Sequence, residues 1–177
     1  MDISKNFFEL FELVPGFDLN TQQLSERYRE LQREYHPDRH AHKGERDQRL
    51  AVQATTHLNE AFETLKQPLK RAQYLLKLRG VETGEEARQQ LPGAFLMQQM
   101  ELREALVEAG EAGDPFAELE ELEQQARALE TQEYSQFNAA LAADDLETAE
   151  VAIRKLQFVN KLLHEIEAAE DRLDEEY

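Results

Sequence analysis

Proline and glycine stand where helices should begin and end in this sequence, and their placement constrains the fold more than any other feature. Only five prolines and seven glycines occur among 177 residues. Between them, apolar residues recur at spacings of three and four, as they do along one face of a helix. No segment shows the alternation that is typical of a half-buried strand. The sequence therefore predicts an all-α protein.

Residues 1–80 divide into four predicted helices that form a first domain. The first helix runs from about Lys5 to Val14 and ends at Pro15. A third helix stops before Pro68, which suits the first position of a fourth helix, and Gly80 suits the end of that helix. Four helices in this length of chain can enclose a small hydrophobic core.

The second predicted helix lies between Asn20 and His36. Asn20 is a suitable N-cap, and the helix must end near His36 because the residue before a proline is disfavoured in the α conformation. Its apolar residues follow at spacings of four, three and four, which indicates one buried stripe: Leu24, Tyr28, Leu31 and Tyr35.

The second half of the chain predicts a three-helix bundle in residues 92–177, after a polar connector at 81–91. The three helices span about Gly93 to Ala109, Pro115 to Ala143 and Leu146 to Leu173. The last helix carries a three-four repeat that is typical of packing against antiparallel neighbours: Ala149, Ala152, Leu156, Val159, Leu163, Ile166 and Leu173, interrupted by Glu170. Phe158 and Leu162 are predicted to lie off this repeat.

Charge is distributed unevenly between the two halves. Residues 1–80 contain 13 Lys or Arg against 12 Asp or Glu, whereas residues 81–177 contain 7 against 25, a balance of −18. Such an asymmetry indicates two regions with different partners, although an acidic half that merely keeps its helices soluble explains it equally well. Phosphates would repel the acidic half, so the composition disfavours nucleic-acid binding.

Several functional classes are disfavoured by what the sequence lacks. There is no cysteine, hence no disulfide framework and no thiolate metal site. There is no phosphate-binding P-loop motif, so any ATP would belong to a partner. The first residues resemble neither a signal peptide nor an organelle presequence, and no apolar run is long enough to span a bilayer. We expect a soluble cytoplasmic protein without membrane association, metal or cofactor.

The motif with the clearest functional meaning is formed by His36, Pro37 and Asp38. It follows Tyr35 at the end of an amphipathic helix, and another amphipathic helix follows the loop. Proline stiffens such a loop, which lowers the entropy lost when its polar neighbours bind a partner. Basic residues lie beside the motif and suggest a docking surface: Arg27, Arg29, Arg33 and Arg39.

The residues alone leave other interpretations of this loop open. His36 and Asp38 could act as an acid–base pair, although no nucleophile or pocket is indicated beside them. A metal site that also uses His40 and His42 is conceivable, and a metal-dependent hydrolase would then be the function from a different class. An ordinary solvated loop that caps the helix is the simplest alternative.

In its context, the motif resembles the signature of the J-domain family, over roughly residues 5–80. That resemblance implies a co-chaperone rather than an enzyme. It also implies docking on a DnaK-type chaperone through the four arginines, and triggering of the chaperone's ATP hydrolysis by His36, Pro37 and Asp38.

The helix from Gly93 to Ala109 is more apolar than one buried face requires. Phe95, Leu102 and Leu106 form one stripe, and Leu96, Met100 and Val107 form a second. A helix buried in the middle of a bundle would show the same excess. The alternative is an exposed apolar patch for a protein partner, for which flexible methionines are well suited.

The whole chain resembles the HscB family of J-proteins, which serve iron–sulfur cluster assembly, in its bacterial form. Three segments carry the likeness: Pro68 to Leu76, Phe95 to Glu104, and Arg154 to Phe158. Met100 stands where leucine is expected, a substitution of similar volume. The resemblance implies a dedicated chaperone of the HscA type and a client, the scaffold protein IscU.

By that resemblance, the IscU scaffold would be bound by a set of residues in the second half: Leu96, Met97, Met100, Glu101, Arg103, Glu104 and Phe158. The apolar members would make the contact, and the charged ones would form its rim. A general J-protein with another client is the alternative within the same class.

Overall fold

The computed structural model describes residues 4–40, 44–83 and 91–176, and within these ranges it contains helices and turns without strands. The predicted all-α fold is therefore confirmed for the described residues. The chain divides into two compact units, residues 1–78 and 79–177. The helices are α1 (Phe7–Leu10), α2 (Thr21–Tyr35), α3 (Glu45–Lys66), α4 (Pro68–Leu78), α5 (Gly93–Ala109), α6 (Pro115–Ala142) and α7 (Leu146–Glu176).

Helix α1 is much shorter than the sequence predicted. A capping box at Asn6 and Glu9 starts it, with both side chains bonded to the opposite backbone N–H. The helix ends at Leu10, and Glu12 then adopts a φ of 57°, a left-handed conformation that no helix continues through. The segment keeps its place through its side chains, because Phe8 is fully buried.

Helices α2 and α3 form an antiparallel pair. The Tyr28 ring stacks on Phe62 with centroids 4.1 Å apart, and the Tyr28 hydroxyl donates to the side-chain oxygen of Asn59 over 2.9 Å. Asn20 caps α2 as predicted, accepting from the Gln23 amide at 3.0 Å. The predicted end of α2 is also confirmed, because its last residue is Tyr35.

A buried arginine joins α4 to the end of α3. The Arg71 side chain is 7% exposed, and its Nη1 donates to the Leu65 carbonyl oxygen over 2.8 Å. That carbonyl belongs to the last turn of α3, where no partner within the helix is available. The guanidinium also lies 5.0 Å from the centroid of the Phe17 ring. One side chain thus fixes α4 against the preceding helix.

In the C-terminal unit, α6 and α7 make the most extensive contact and α5 packs against both. Helix α5 has the predicted bounds, and α7 continues three residues beyond the predicted Leu173. The core joins all three helices through buried apolar residues: Phe95, Leu102, Ala109, Leu119, Leu122, Ala126, Leu129, Val159, Leu162, Leu163 and Ile166. Of the predicted connector, residues 84–90 lie outside the described part of the chain.

The position of Leu162 corrects the sequence interpretation of α7. Leu162 was predicted to lie off the packing repeat, yet its side chain is fully buried. The buried face of α7 is wider than one repeat because the helix contacts α6 and α5 together. Among the described residues, no helix is both long and apolar enough to cross a membrane.

Glu170 interrupts the apolar repeat of α7 and carries an unfavourable charge. Burial raises the pKa of its carboxyl group, and the nearby carboxylates of Glu123, Asp171, Asp174 and Glu167 raise that pKa further. A raised carboxyl pKa means that the folded state disfavours the ionised form. The resulting loss of stability is absent below the unfolded pKa of about 4.3 and develops as the pH rises through the folded pKa.

Replacing Glu170 with Gln should therefore raise the free energy of unfolding at pH 7 and change it little at pH 4. Urea denaturation of the full chain at the two pH values measures the difference. Glu120→Gln, at an exposed position on α6, controls for the removal of one negative charge. A gain of equal size at both pH values would contradict this account of Glu170.

Candidate functional site

The His36, Pro37 and Asp38 segment forms a tight turn at the end of α2. His36 is the C-terminal cap of α2, and Pro37–His40 make one turn of 3₁₀ helix. The Asp38 amide donates to His36 Nδ1 over 3.3 Å, and the Asp38 carboxylate Oδ2 lies 3.6 Å from the same nitrogen. The side chains remain 49% and 91% exposed, respectively. The turn therefore presents to a partner an exposed imidazole, held by the Asp38 amide, beside an exposed carboxylate.

Helix α3 anchors the residue that precedes this turn. The Thr55 hydroxyl lies 3.2 Å from the Tyr35 carbonyl oxygen and 2.9 Å from the Ala51 carbonyl oxygen, so its proton can serve either acceptor. The Tyr35 carbonyl is in the last turn of α2 and lacks a partner within that helix. This contact between Thr55 and the residue before the turn was missed in the sequence, because a threonine inside a helix does not indicate which group its hydroxyl contacts.

The four predicted docking arginines do not share one environment. The guanidinium of Arg27 is ion-paired with Glu12 at 2.8 Å and Glu30 at 2.6 Å, and only 28% of its side chain is exposed. Arg29 and Arg33 are exposed and, at spacing four, lie on the side of α2 that leads to His36.

The structure thus separates Arg27 from the exposed pair of arginines. The side chain of Arg39 lies outside the described residues. The exposed part of the predicted basic surface therefore reduces to Arg29 and Arg33 among the described side chains.

Of the four side chains that the metal alternative for this loop uses, the structure describes only those of His36 and Asp38. The described residues contain no group of three or more His, Asp or Glu side chains placed to hold a metal ion. His42 and the side chain of His40, which that alternative needs, lie outside the described part of the chain.

Helix α5 buries one face and exposes the other, which decides between the two interpretations of its apolar excess. Phe95 and Leu102 face the core. On the opposite side, Leu96, Met97 and Met100 are 45%, 65% and 63% exposed. Burial in the middle of the bundle is therefore wrong for this second stripe. A cluster of large exposed apolar side chains on one helix is typical of an interaction surface.

Phe158 of α7 borders this exposed surface and is held from two sides. Its ring meets the Phe95 ring edge-on, with centroids 5.7 Å apart and planes at 88°. The Arg103 guanidinium lies 5.6 Å from the Phe158 centroid and 3.8 Å from the Glu165 carboxylate. The structure thus brings Phe158 and Arg103 into contact.

The remaining predicted rim residues are Glu101 and Glu104, which are both exposed on α5. We call the surface formed by the exposed and half-buried predicted residues the α5 patch: Leu96, Met97, Met100, Glu101, Arg103, Glu104 and Phe158.

A buried ion pair lies beneath the α5 patch. Glu133 of α6 is 1% exposed, and its Oε1 accepts from Lys155 Nζ over 2.9 Å. The same Nζ lies 5.5 Å from the centroid of the Phe95 ring, whose edge supports Phe158. The sequence did contain a signal for this pair, since Glu133 occupies an apolar position in the three-four repeat of α6 between Leu129 and Phe137.

Replacing Lys155 with Met should lower the free energy of unfolding by about 3 kcal/mol, because the Glu133 carboxylate would stay buried without its partner. Urea denaturation of the full chain measures this loss. The double variant Glu133→Leu with Lys155→Met should recover most of it, since both buried charges are then absent. If the double variant is as unstable as Lys155→Met alone, then Lys155 does not stabilise the fold by neutralising the Glu133 carboxylate.

Comparison with known proteins agrees with this geometry. The family model described as the DnaJ domain matches residues 6–74, and the one described as the HSCB C-terminal oligomerisation domain matches residues 91–167. A co-chaperone protein HscB homolog of Shewanella halifaxensis is 48% identical over 172 residues, which cover 95% of this chain and 98% of the relative.

Two solved structures resemble the whole chain. Chaperone HscB from Vibrio cholerae superposes with a TM-score of 0.87 at 41% identity, covering 96% of this chain and 99% of that one. The human co-chaperone protein HscB gives a TM-score of 0.89 at 29% identity, covering 96% and 84%.

The antiparallel α2 and α3 pair, the His-Pro-Asp turn between them and the match to the DnaJ domain identify the N-terminal unit as a J-domain. The protein is thus a J-domain co-chaperone, a class whose partners are DnaK-type chaperones. Because a J-domain and the HscB C-terminal domain occur together, with close relatives along nearly the entire length, the chain belongs to the HscB family.

Proposed function

We propose that this protein stimulates the ATPase of an HscA-type chaperone and delivers to it the iron–sulfur scaffold protein IscU, in the assembly and transfer of iron–sulfur clusters. The observation that carries the proposal is the presence of two exposed sites of different chemistry in one chain. One is the polar turn of His36, Pro37 and Asp38, and the other is the α5 patch.

The turn is the proposed trigger of ATP hydrolysis by the chaperone. Its imidazole and carboxylate are exposed and held by a short hydrogen-bonded loop, so little conformational entropy is lost when they bind. Arg29 and Arg33 are proposed to steer this face toward an acidic surface of the chaperone. Arg27 would contribute indirectly, because its guanidinium is already paired with Glu12 and Glu30.

The α5 patch is the proposed binding surface for the scaffold. Met97 and Met100 are more than half exposed and supply adaptable apolar contact. Phe158 offers an aromatic side chain that is already fixed by Phe95 and Arg103, and such anchors contribute strongly to binding. Binding chaperone and client in one chain raises the effective concentration of the client at the chaperone.

Replacing His36 with Gln should abolish stimulation of the chaperone ATPase and leave scaffold affinity unchanged. Steady-state ATP hydrolysis by the HscA-type chaperone, with this protein and scaffold added separately and together, measures the first effect. Calorimetric titration with scaffold measures the second. We expect the unaltered protein and scaffold to stimulate synergistically.

The matched control for the turn is Lys70→Gln, which alters an exposed residue of α4 in the same unit. It should stimulate like the unaltered protein. Normal stimulation by the His36→Gln variant would mean that the turn is not the trigger, and failure of the unaltered protein to stimulate any DnaK-type chaperone would disprove the co-chaperone activity proposed here.

Replacing Met97 and Met100 together with Ala should weaken scaffold binding at least about tenfold, because two exposed apolar contacts are removed. Folding should be unaffected, since both side chains are mainly solvent-exposed. Phe158→Ala should weaken binding too, with some loss of stability because its ring packs on Phe95. Calorimetric titration and thermal unfolding separate the two effects.

Gln125→Ala, at an exposed position of α6, is the control for the α5 patch. Unchanged scaffold affinity in the Met97 and Met100 double variant would favour the second candidate, a J-protein that serves another client. In that case, the apolar residues of the α5 patch would form the binding surface for that other client.

A further inference from the structure

The exposed apolar stripe of α5 continues beyond the α5 patch. Leu96, Met100 and Val107 succeed one another at spacings of four and seven, so they lie along one line of the helix. Val107 is 71% exposed, more than either methionine of the patch. At 1.5 Å per residue, the line from Leu96 to Val107 is about 16 Å long. No residue of the α5 patch lies at this far end.

Val107 stands at the edge of an apolar groove between the three helices of the C-terminal unit. The groove has a volume of about 520 Å³, which is within the range of pockets that bind small-molecule ligands. It is therefore large enough to accept an apolar side chain. Leu106 and Val107 line it on the α5 side, and its charged lining residues are Glu165 and Arg172 of α7. Two small residues of α7, Ala168 and Ala169, line it together with the buried Leu119 of α6.

Charge beside the stripe indicates the nature of the occupant. Glu101, Glu104 and Glu108 are exposed at spacings of three and four, so an acidic line runs parallel to the apolar one. The line extends as far as Val107, and residues 81–177 as a whole carry a balance of −18. Arg172 lines the groove itself, so the attraction for basic groups lies along the stripe and not inside the groove. A second copy of this chain would bring its own acidic line against this one, whereas a segment with an apolar anchor in the groove and lysines or arginines over the acidic line would be attracted.

We propose that the groove at the C-terminal end of α5 is a second anchoring site for the client, occupied by an apolar side chain with basic neighbours. The proposal rests on the proposed function, because the client is the scaffold that binds the α5 patch. Contact along the full line of α5 would fix the client's direction on the helix as well as its position. The acidic line makes the affinity fall as salt is added.

The test is calorimetric titration of the full chain with the scaffold protein at low and high salt. Val107→Lys should weaken binding about tenfold, because it removes an apolar contact and adds a positive charge that repels a basic client. Ala139→Lys is the matched control, since it adds the same charge at an exposed position on α6 and should bind like the unaltered chain. Ala168→Phe, at an exposed position, should fill the groove and also weaken binding.

The outcomes distinguish this site from the α5 patch. Weaker binding in the Met97 and Met100 double variant, with normal binding in both Val107→Lys and Ala168→Phe, overturns the groove alone. Weaker binding in Val107→Lys together with normal binding in Ala168→Phe overturns the proposal that the client occupies the groove. Sedimentation that shows Val107→Lys dissociating a dimer, with client affinity unchanged, assigns the groove to a second copy and overturns the proposal. If the unaltered chain does not bind the scaffold at all, both the α5 patch and the groove are overturned as client sites.

Discussion

Pro37 ends α2 at Tyr35, and the arrangement of the J-domain turn depends on that constraint. A proline disfavours the α conformation in the residue before it, so His36 adopts an extended ψ of 129° as the helix cap. The chain then makes one tight turn that leaves two polar side chains in solvent. The packing of α2 on α3 holds the base of that turn, with Thr55 at the last carbonyl group of α2.

A different constraint shapes the C-terminal unit. Helix α7 must face two neighbours at once, which widens its buried face and leaves α5 at the side of the α6 and α7 pair with only one face covered. The uncovered face of α5 therefore exposes large apolar side chains that the fold does not need. The buried pair of Glu133 and Lys155 links this packing to the exposed surface, because Lys155 contacts the ring of Phe95.

The two units resemble each other in how their exposed sites are supported. In each, a neighbouring helix supports the site: Thr55 of α3 contacts the Tyr35 carbonyl oxygen just before the turn, and Arg103 and Phe95 of α5 contact the Phe158 ring. Rigid support of this kind reduces the entropy that binding would otherwise cost. Arg27 illustrates the opposite case, since its ion pairs with Glu12 and Glu30 engage the charge that sequence analysis assigned to docking.

The sequence by itself determined the helices and most of their ends, because caps and prolines act locally: Asn20, Pro37 and Asp114 each mark a boundary that the structure has. It also determined the position of the His-Pro-Asp turn, and Pro115 as the start of α6. Only the tertiary structure decided which face of α5 is exposed, that Leu162 is buried, and that Arg27 also pairs with Glu12. These properties depend on neighbours distant in sequence, and helical periodicity identifies a face without saying what covers it. The short α1 belongs to the same group, because its apolar side chains are held by packing rather than by helix formation.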